Sequence, residues 1–274
     1  MDLKQLLIDI EDVDLNTLEE PELTAIIYEM LENLGSTDPE LRDGLIYPLL
    51  LKIIESDILS PERFNHIMET CLDERHLFFK LGERGDSVFM RSFSSLAIAA
   101  LLAADAEKPF LDKEMFQTIT DKIIWYIEGE TDTRGYVEEK GWAHSIAHSA
   151  DMLMVLVKNP SFSADKFPNI LNAIENCIFK ENAAYVDGED ERLIVSIKTM
   201  IDKGLTDNVL YDWICRISKK LDDVHAAEGF SYKYYRNMMN LNNFMKSLYF
   251  RFKRDRTKMG IRVLLFDKMQ KTGS

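Results

Sequence analysis

Apolar side chains recur every three to four residues along most of this 274-residue chain, the period that lines one face of a helix. Asp2 to Ile10 reads as a short amphipathic helix, and Thr17-Leu-Glu-Glu20 before Pro21 predicts a capped helix ending near Gly35. Asp38-Pro39 starts the next helix, with a kink expected at Pro48 inside LIYPLLLKII. Ser60-Pro61-Glu62 repeats the start signal, and Gly82 and Gly85 mark a turn before Ser87. From there FSSLAIAALLAA is apolar on nearly every side, which predicts a central helix from Ser87 to Ala104. Further helices are expected from Asp112 to near Glu130, across His144 to Asp151, and after Asn159-Pro160 with an entry bent at Pro168. GEDER leads into another at LIVSIKTMI, and three more cover Thr206 to Ala226, Tyr232 to Lys253 and Thr257 to Met269.

Strand signals are nearly absent, since the Asp43-Gly44 pair lies within a helical pattern, so the class is all-α. Pairing the helices gives units near 18–54, 61–104, 112–158, 164–202 and 206–253. Their starts recur close to the period of two-helix HEAT and armadillo repeats, roughly 40–47 residues. The expected architecture, preferred to a closed α/α toroid or an irregular bundle, is a stack of antiparallel helical hairpins, an α-solenoid of roughly 10–12 helices forming a single domain over residues 1–274. The concave face of such a stack commonly serves for binding.

Charge adds an asymmetry to this picture. Residues 231–274 carry 11 basic against 2 acidic side chains, a net +9, while residues 1–230 carry 22 against 45, a net −23, giving the total of −14. A basic segment on an acidic body is expected to pair with the body's own carboxylates, and nucleic acid is not an expected partner. The YKYYR cluster, with Tyr232, Tyr234 and Tyr235 beside Lys233 and Arg236, reads as the closure of the stack rather than a base-stacking platform. Cys71, Cys177 and Cys215 are widely spaced and without CxxC, which indicates core thiols rather than a disulfide framework or a structural zinc site. The longest apolar run, Leu96 to Ala104, is too short for a membrane span, and the acidic start lacks signal-peptide features, so a cytoplasmic location is expected.

Chemistry concentrates between Glu130 and Asp151, ETDTRGYVEEKGWAHSIAHSAD. On a continuous helix His144, His148 and Asp151 share one narrow ionisable stripe, roughly 60° wide, opposite Ile146, Ala150, Leu153 and Val157. Two imidazoles one turn apart plus a carboxylate suit Zn²⁺, Mn²⁺ or Fe²⁺ with open positions. Three readings stay open at this point: a buried polar network with Asp132, Glu138 or Glu139, a metal-free ligand pocket, or a divalent metal site. The zincin motif is excluded because Ser-Ile-Ala stands between the histidines. Arg134 beside Gly135 offers a planar fork to a carboxylate or phosphate. Arg91 is expected in the same cleft, Trp142 near the apolar face, and Glu138 and Glu139 among solvated loop charges. No P-loop, GxGxxG or GxSxG is present.

Four phrases, RSFSSLAIAALLAAD, the Glu130–Asp151 string, GEDERL and NFMKSLYFRF, give the chain its resemblance to bacterial domain-of-unknown-function family 2785 from about Ser87 to Phe252. The resemblance implies a bacterial source and an all-helical protein and supplies no catalytic roles. Two functions follow as expectations. The first is a helical-repeat binding module for a protein or small anionic ligand, with its polar pocket around Arg134 to Asp151. The alternative is a metal-dependent hydrolase in which His144, His148 and Asp151 hold the metal and Glu138 or Glu139 acts as general base.

Overall fold

The structure, a computed structural model, describes residues 2–56 and 58–272; its contacts divide into two units, Met1–Ser161 and Phe162–Ser274. Among the described residues of the first unit the helices are α1 (Leu3–Ile10), α2 (Glu20–Glu32), α3 (Tyr47–Glu55), α4 (Pro61–Cys71), α5 (Ser87–Glu107), α6 (Lys113–Gly129) and α7 (Ser145–Lys158). The all-α class expected from periodicity is what forms. Local chemistry sets the starts: Asp38 Oδ1 accepts the amides of Glu40 (2.9 Å) and Leu41 (3.3 Å), Ser60 Oγ that of Arg63 (3.4 Å), and Asp112 Oδ1 that of Met115 (2.8 Å). Each such cap satisfies amides that have no intrahelical partner and stabilises by about 1 kcal/mol.

Two details differ from the sequence expectation. Thr17 does not cap α2; it closes a short 3-10 turn, Leu15–Thr17, whose own cap is Asp14, and α2 starts after Glu19 without a side-chain cap. The expected kink at Pro48 takes the form of a π-helical turn, Glu40–Ile46, in which the Tyr47 amide bonds Arg42 O five residues back. Pro48 has no N–H for the Gly44 carbonyl, and the widened turn carries the ladder to α3.

Helix α5 is the axis of the first unit. It packs on α3, α4 and most extensively on α7. It is long and apolar enough to cross a bilayer, with a mean hydropathy of 1.6, yet 67% of that window is buried against its neighbours. Phe89, Ala97, Ile98, Leu101 and Leu102 on α5 join Ile53, Met68, Ile123 and Leu153 in the core, each contributing on the order of 1–3 kcal/mol on burial. The turn before the π-helical segment comes so close to α5 that a Cβ on Gly35 would lie 2.6 Å from Met90 Cβ.

The second unit contains α8 (Phe167–Ile178), α9 (Glu189–Asp202), α10 (Asp207–Glu228), α11 (Tyr232–Arg251) and α12 (Met259–Thr272). The bent entry at Pro168 is a 3-10 turn, Ala164–Lys166, feeding α8. α11 is its centre, touching α8, α9, α10 and α12, with Trp213 edge-on to Phe244 at 5.8 Å. The loop before α9 is pinned by Asn240, whose side chain accepts from the Tyr185 amide (2.7 Å) and donates to Ala183 O (3.1 Å). Cys71 and Cys177 are core thiols as expected, pushed by burial up to about 12 and about 11; Cys215 is half-buried.

Candidate functional site

The charged loop expected to line a cleft is instead knotted to the scaffold by arginines. Arg91, on α5, is fully buried and forks onto the equally buried Glu130, Nε to Oε2 at 2.6 Å and Nη2 to Oε1 at 2.8 Å. Its remaining donors reach Phe79 O (2.9 Å), Lys80 O (3.2 Å), Glu83 O (3.1 Å) and Ser87 Oγ (2.8 Å). One guanidinium thus satisfies the carbonyls of an irregular turn that no helix or strand could serve. Glu130 also accepts from the Asp132 amide (2.9 Å) and from Tyr126 Oη (3.3 Å). Burial, with the Glu130 charge beside it, raises the Tyr126 hydroxyl far above its ordinary range, so it stays a donor.

Asp132 and Arg134 form a second knot. The Asp132 carboxylate is fully buried, takes Arg134 Nη2 at 2.6 Å and the Gly85 amide at 3.1 Å, while Arg134 Nη2 also donates to Gly85 O at 2.8 Å. Burial alone pushes the Asp132 carboxyl up, but the Arg134 fork and the Gly85 amide outweigh it and hold the carboxyl below its usual range. The Ser145 hydroxyl donates to Asp132 O, tying this knot to the start of α7.

After the second knot the chain forms a hairpin that the sequence did not announce. Strands β1 (Tyr136–Val137) and β2 (Gly141–Trp142) pair antiparallel, Tyr136 opposite Trp142, around a turn in which Glu139 is left-handed (φ 65°). Two residues per strand cannot hold themselves together in water. Arg42 supplies the anchor: fully buried, it donates to Lys140 O (2.8 Å) and Ser36 O (2.6 Å), pairs with Asp43 (2.6 Å) and lies over the rings of Phe89 and Phe93 at 4.3 and 4.7 Å. Gly141 (φ 76°) lets this approach happen, since a Cβ there would lie 2.9 Å from Pro39 Cβ and 3.1 Å from Arg42 Nη2. Lys140 adds an outer pair to Asp86 at 2.7 Å.

His144 is the first correction to the helical wheel. It precedes α7 as its N-cap residue, in the left-handed region at φ 46° and ψ 33°, a conformation that costs a non-glycine residue on the order of 1 kcal/mol. His144 and His148 therefore do not share a helical stripe; their rings meet edge to face with centroids 5.8 Å apart. The Ser92 hydroxyl donates to Ala143 O and lies 2.7 Å from His148 Nδ1. With its proton committed to the carbonyl, Ser92 accepts from Nδ1–H, which leaves Nε2 as the acceptor side of the ring. Asp151, half-buried on α7, is near enough to Tyr47 that burial and then its charge push that hydroxyl up.

Trp142 is the second correction: it is 40% exposed rather than core, because the hairpin turns it out of the helical pattern on which that reading rested. It stacks on His144 at 4.2 Å and meets Tyr136, 59% exposed, at 5.1 Å. The contacts continue inward from His148 to Phe93 at 5.4 Å and from Phe93 to Tyr47 at 6.1 Å. Six rings thus form an unbroken ladder from the hairpin surface to α3. Glu138 and Glu139 stand at the hairpin turn, as solvated loop charges do.

Of the residues singled out from sequence, Arg91, Asp132 and Arg134 are joined through Glu130 and Gly85, and Trp142, His144 and His148 through ring contacts. Arg42, Ser92 and Tyr136 were not singled out, and Glu130 was read only as part of the charged loop. Aromatics bracketing VEEKG were the available signal; Arg42, set among Asp38, Glu40 and Asp43, offered none. The family described as protein of unknown function (DUF2785) matches residues 77–250, more than half of the chain and all of this segment. No curated protein and no solved structure matches.

Proposed function

We propose that this chain, which belongs to the DUF2785 family of proteins of unknown function, is a binding module that docks a basic segment of a protein partner on the hairpin ledge of Tyr136, Trp142 and His144. The observation that carries the reading is the ring ladder. Exposed aromatic side chains are held in one arrangement by stacking behind them and by Arg42 beneath, so little rotamer freedom is left to lose on binding. Glu138 and Glu139 at the turn, and the net charge of −14, favour a cationic guest over an anionic one. A lysine or arginine over such a ring gains about 0.5–2 kcal/mol per contact. As part of the same reading the helix pairs are taken as HEAT-like hairpins, supported by the regular recurrence of their starts and by α5 packing against both α3 and α7.

The hydrolase alternative has weaker support. Glu138 and Glu139, its intended bases, stand out at the turn, Arg91 and Arg134 are committed to carboxylates, and His148 Nδ1 is engaged by Ser92. The test is a titration of tryptophan fluorescence with an oligo-arginine peptide and, separately, an oligo-glutamate peptide of equal length. Saturable change with the first alone, abolished by Trp142→Ala, is expected. Equal response of the Trp142→Ala protein, or preference for the acidic peptide, overturns the reading.

A further inference from the structure

The second unit ends in a surface whose side chains are of two kinds. Helix α12 buries Ile261, Leu264 and Leu265, yet on its other side Met259, Val263 and Phe266 are 66%, 52% and 50% exposed. Their i, i+4, i+7 spacing puts them on one stripe about 60° wide. Phe250, 63% exposed at the end of α11, is the fourth large apolar group of this corner. Around the turn stand Lys253, Arg254 and Arg256, all exposed, while Arg251 and Lys258 pair with Glu191 and Asp207 of the same unit. A linear apolar stripe bordered by cations is the surface that an acidic amphipathic helix fits.

The chain carries such a counterpart itself. Residues 1–40 hold 12 acidic side chains against one lysine, a net −11 set against the +9 of residues 231–274. Within the first unit their ion pairs are Lys4 to Asp38 and Glu40, Arg63 to Glu20 and Arg75 to Glu32, which leaves most of the acidic excess facing solvent. Glu11, Asp12 and Glu19 lie at the ends of these helices, and the same helices present Ile8 (46% exposed) and Tyr28 (53% exposed). Ile8, Glu11 and Asp12, spaced i, i+3 and i+4, put one apolar and two acidic groups on one side of the end of α1, a match for the apolar and basic groups at the α11–α12 corner.

We propose that the α11–α12 corner of one copy docks on the end of α1 and the acidic segment that follows it, Ile8 to Glu19, in a second copy, so that the protein self-associates through a heterologous contact. Copies of net charge −14 repel at long range, but screening confines that repulsion to about 8 Å at physiological salt, within which the complementary patches decide. A second copy is favoured over an anionic membrane because a bilayer would set a uniformly anionic surface against a chain of net charge −14, whereas the second copy brings its acidic groups only to the basic corner.

The experiment is light scattering with size separation on the intact chain over a wide concentration range, with two charge-reversed proteins. One carries Lys253→Glu, Arg254→Glu and Arg256→Glu; the other carries Glu11→Lys, Asp12→Lys and Glu19→Lys. Wild type is expected to associate in a concentration-dependent way, each reversed protein alone to associate at least about tenfold more weakly, and their equimolar mixture to regain assembly. A second, uncharged variant, Met259→Ser with Phe266→Ser, is expected to weaken assembly as well. A wild type that stays monomeric overturns the proposal, as does assembly unaffected by the reversals. Failure of the mixture to recover also overturns it, and binding of wild type but not the basic-corner variant to phosphatidylserine vesicles would then identify a membrane as the occupant.

Discussion

Glu130→Ala tests whether the charged loop is a brace. The carboxylate is fully buried and is the partner of a fully buried cation through two bonds of 2.6 and 2.8 Å. Removing it leaves Arg91 with backbone carbonyls and a hydroxyl but no carboxylate in contact, a loss of about 3–5 kcal/mol. The Asp132 amide loses its acceptor as well, a group whose unsatisfied burial costs about 1–3 kcal/mol, although the two losses share one network and do not add in full. Urea unfolding followed by tryptophan fluorescence measures the cost, since Trp125 packs on Phe78 at 4.6 Å beside the turn that Arg91 ties down. Trypsin gives an independent reading, because Lys80 and Arg84 lie in that turn and should be cut faster once it loosens. A loss below about 1 kcal/mol with unchanged cleavage would refute the argument, for it would mean that the guanidinium finds water or another anion.

Other consequences are checked more briefly. Gly141→Ala should cost about 1–3 kcal/mol in urea unfolding, from the strained φ and the close approach to Pro39, whereas Trp142→Ala should cost about 0.5–1.5 kcal/mol while abolishing peptide binding. Because Asp132 is held below the usual carboxyl range, its contribution is present above the unfolded-state value and lost as pH falls through the folded one; Asp132→Asn should be less stable than wild type at pH 7, with the difference shrinking below about pH 4. Long-range proton–nitrogen NMR should find His148 protonated on Nδ1 in its neutral form, and Ser92→Ala should change the tautomer balance; an Nε2–H form in wild type would contradict the assigned bond.

What could be read from the sequence was what local chemistry decides. Asp38-Pro39, Ser60-Pro61 and Asp112 marked helix starts within a residue or two because each cap bonds amides two or three positions on. The all-round apolar stretch after Ser87 correctly marked the central helix of the first unit. The hairpin escaped because its support is remote: Arg42 reaches Lys140 O across 98 residues, and two-residue strands leave no alternation to detect. The wheel that joined His144 to His148 failed for a nearer cause: the hairpin bonds the His144 amide to Arg134 O and the Ala143 amide to Gly135 O, and His144 stands left-handed before the helix begins. Residue type marked where ionisable and aromatic groups concentrate; the contacts of each side chain depended on partners that spacing does not reveal.

The cost of burying these arginines bears on what the arrangement is for. A buried ion pair is often matched or exceeded in stability by well-packed apolar side chains, so stability alone does not explain Arg42 and Arg91. What apolar groups cannot do is bind carbonyls. Arg91 takes three from the turn at 79–83, and Arg42 takes Ser36 O and Lys140 O, fixing backbone that has no ladder of its own. The product is positional: Tyr136 and Trp142 are presented on a hairpin too short to stand alone. Arg42→Lys should therefore separate the two roles. A lysine keeps the charge beside Asp43 but lacks the fork that reaches Ser36 O and Lys140 O together, so peptide affinity should fall by a larger factor than that of any exposed acidic substitution outside the hairpin. Unchanged affinity in a folded Arg42→Lys protein would show that the ledge does not depend on its anchor.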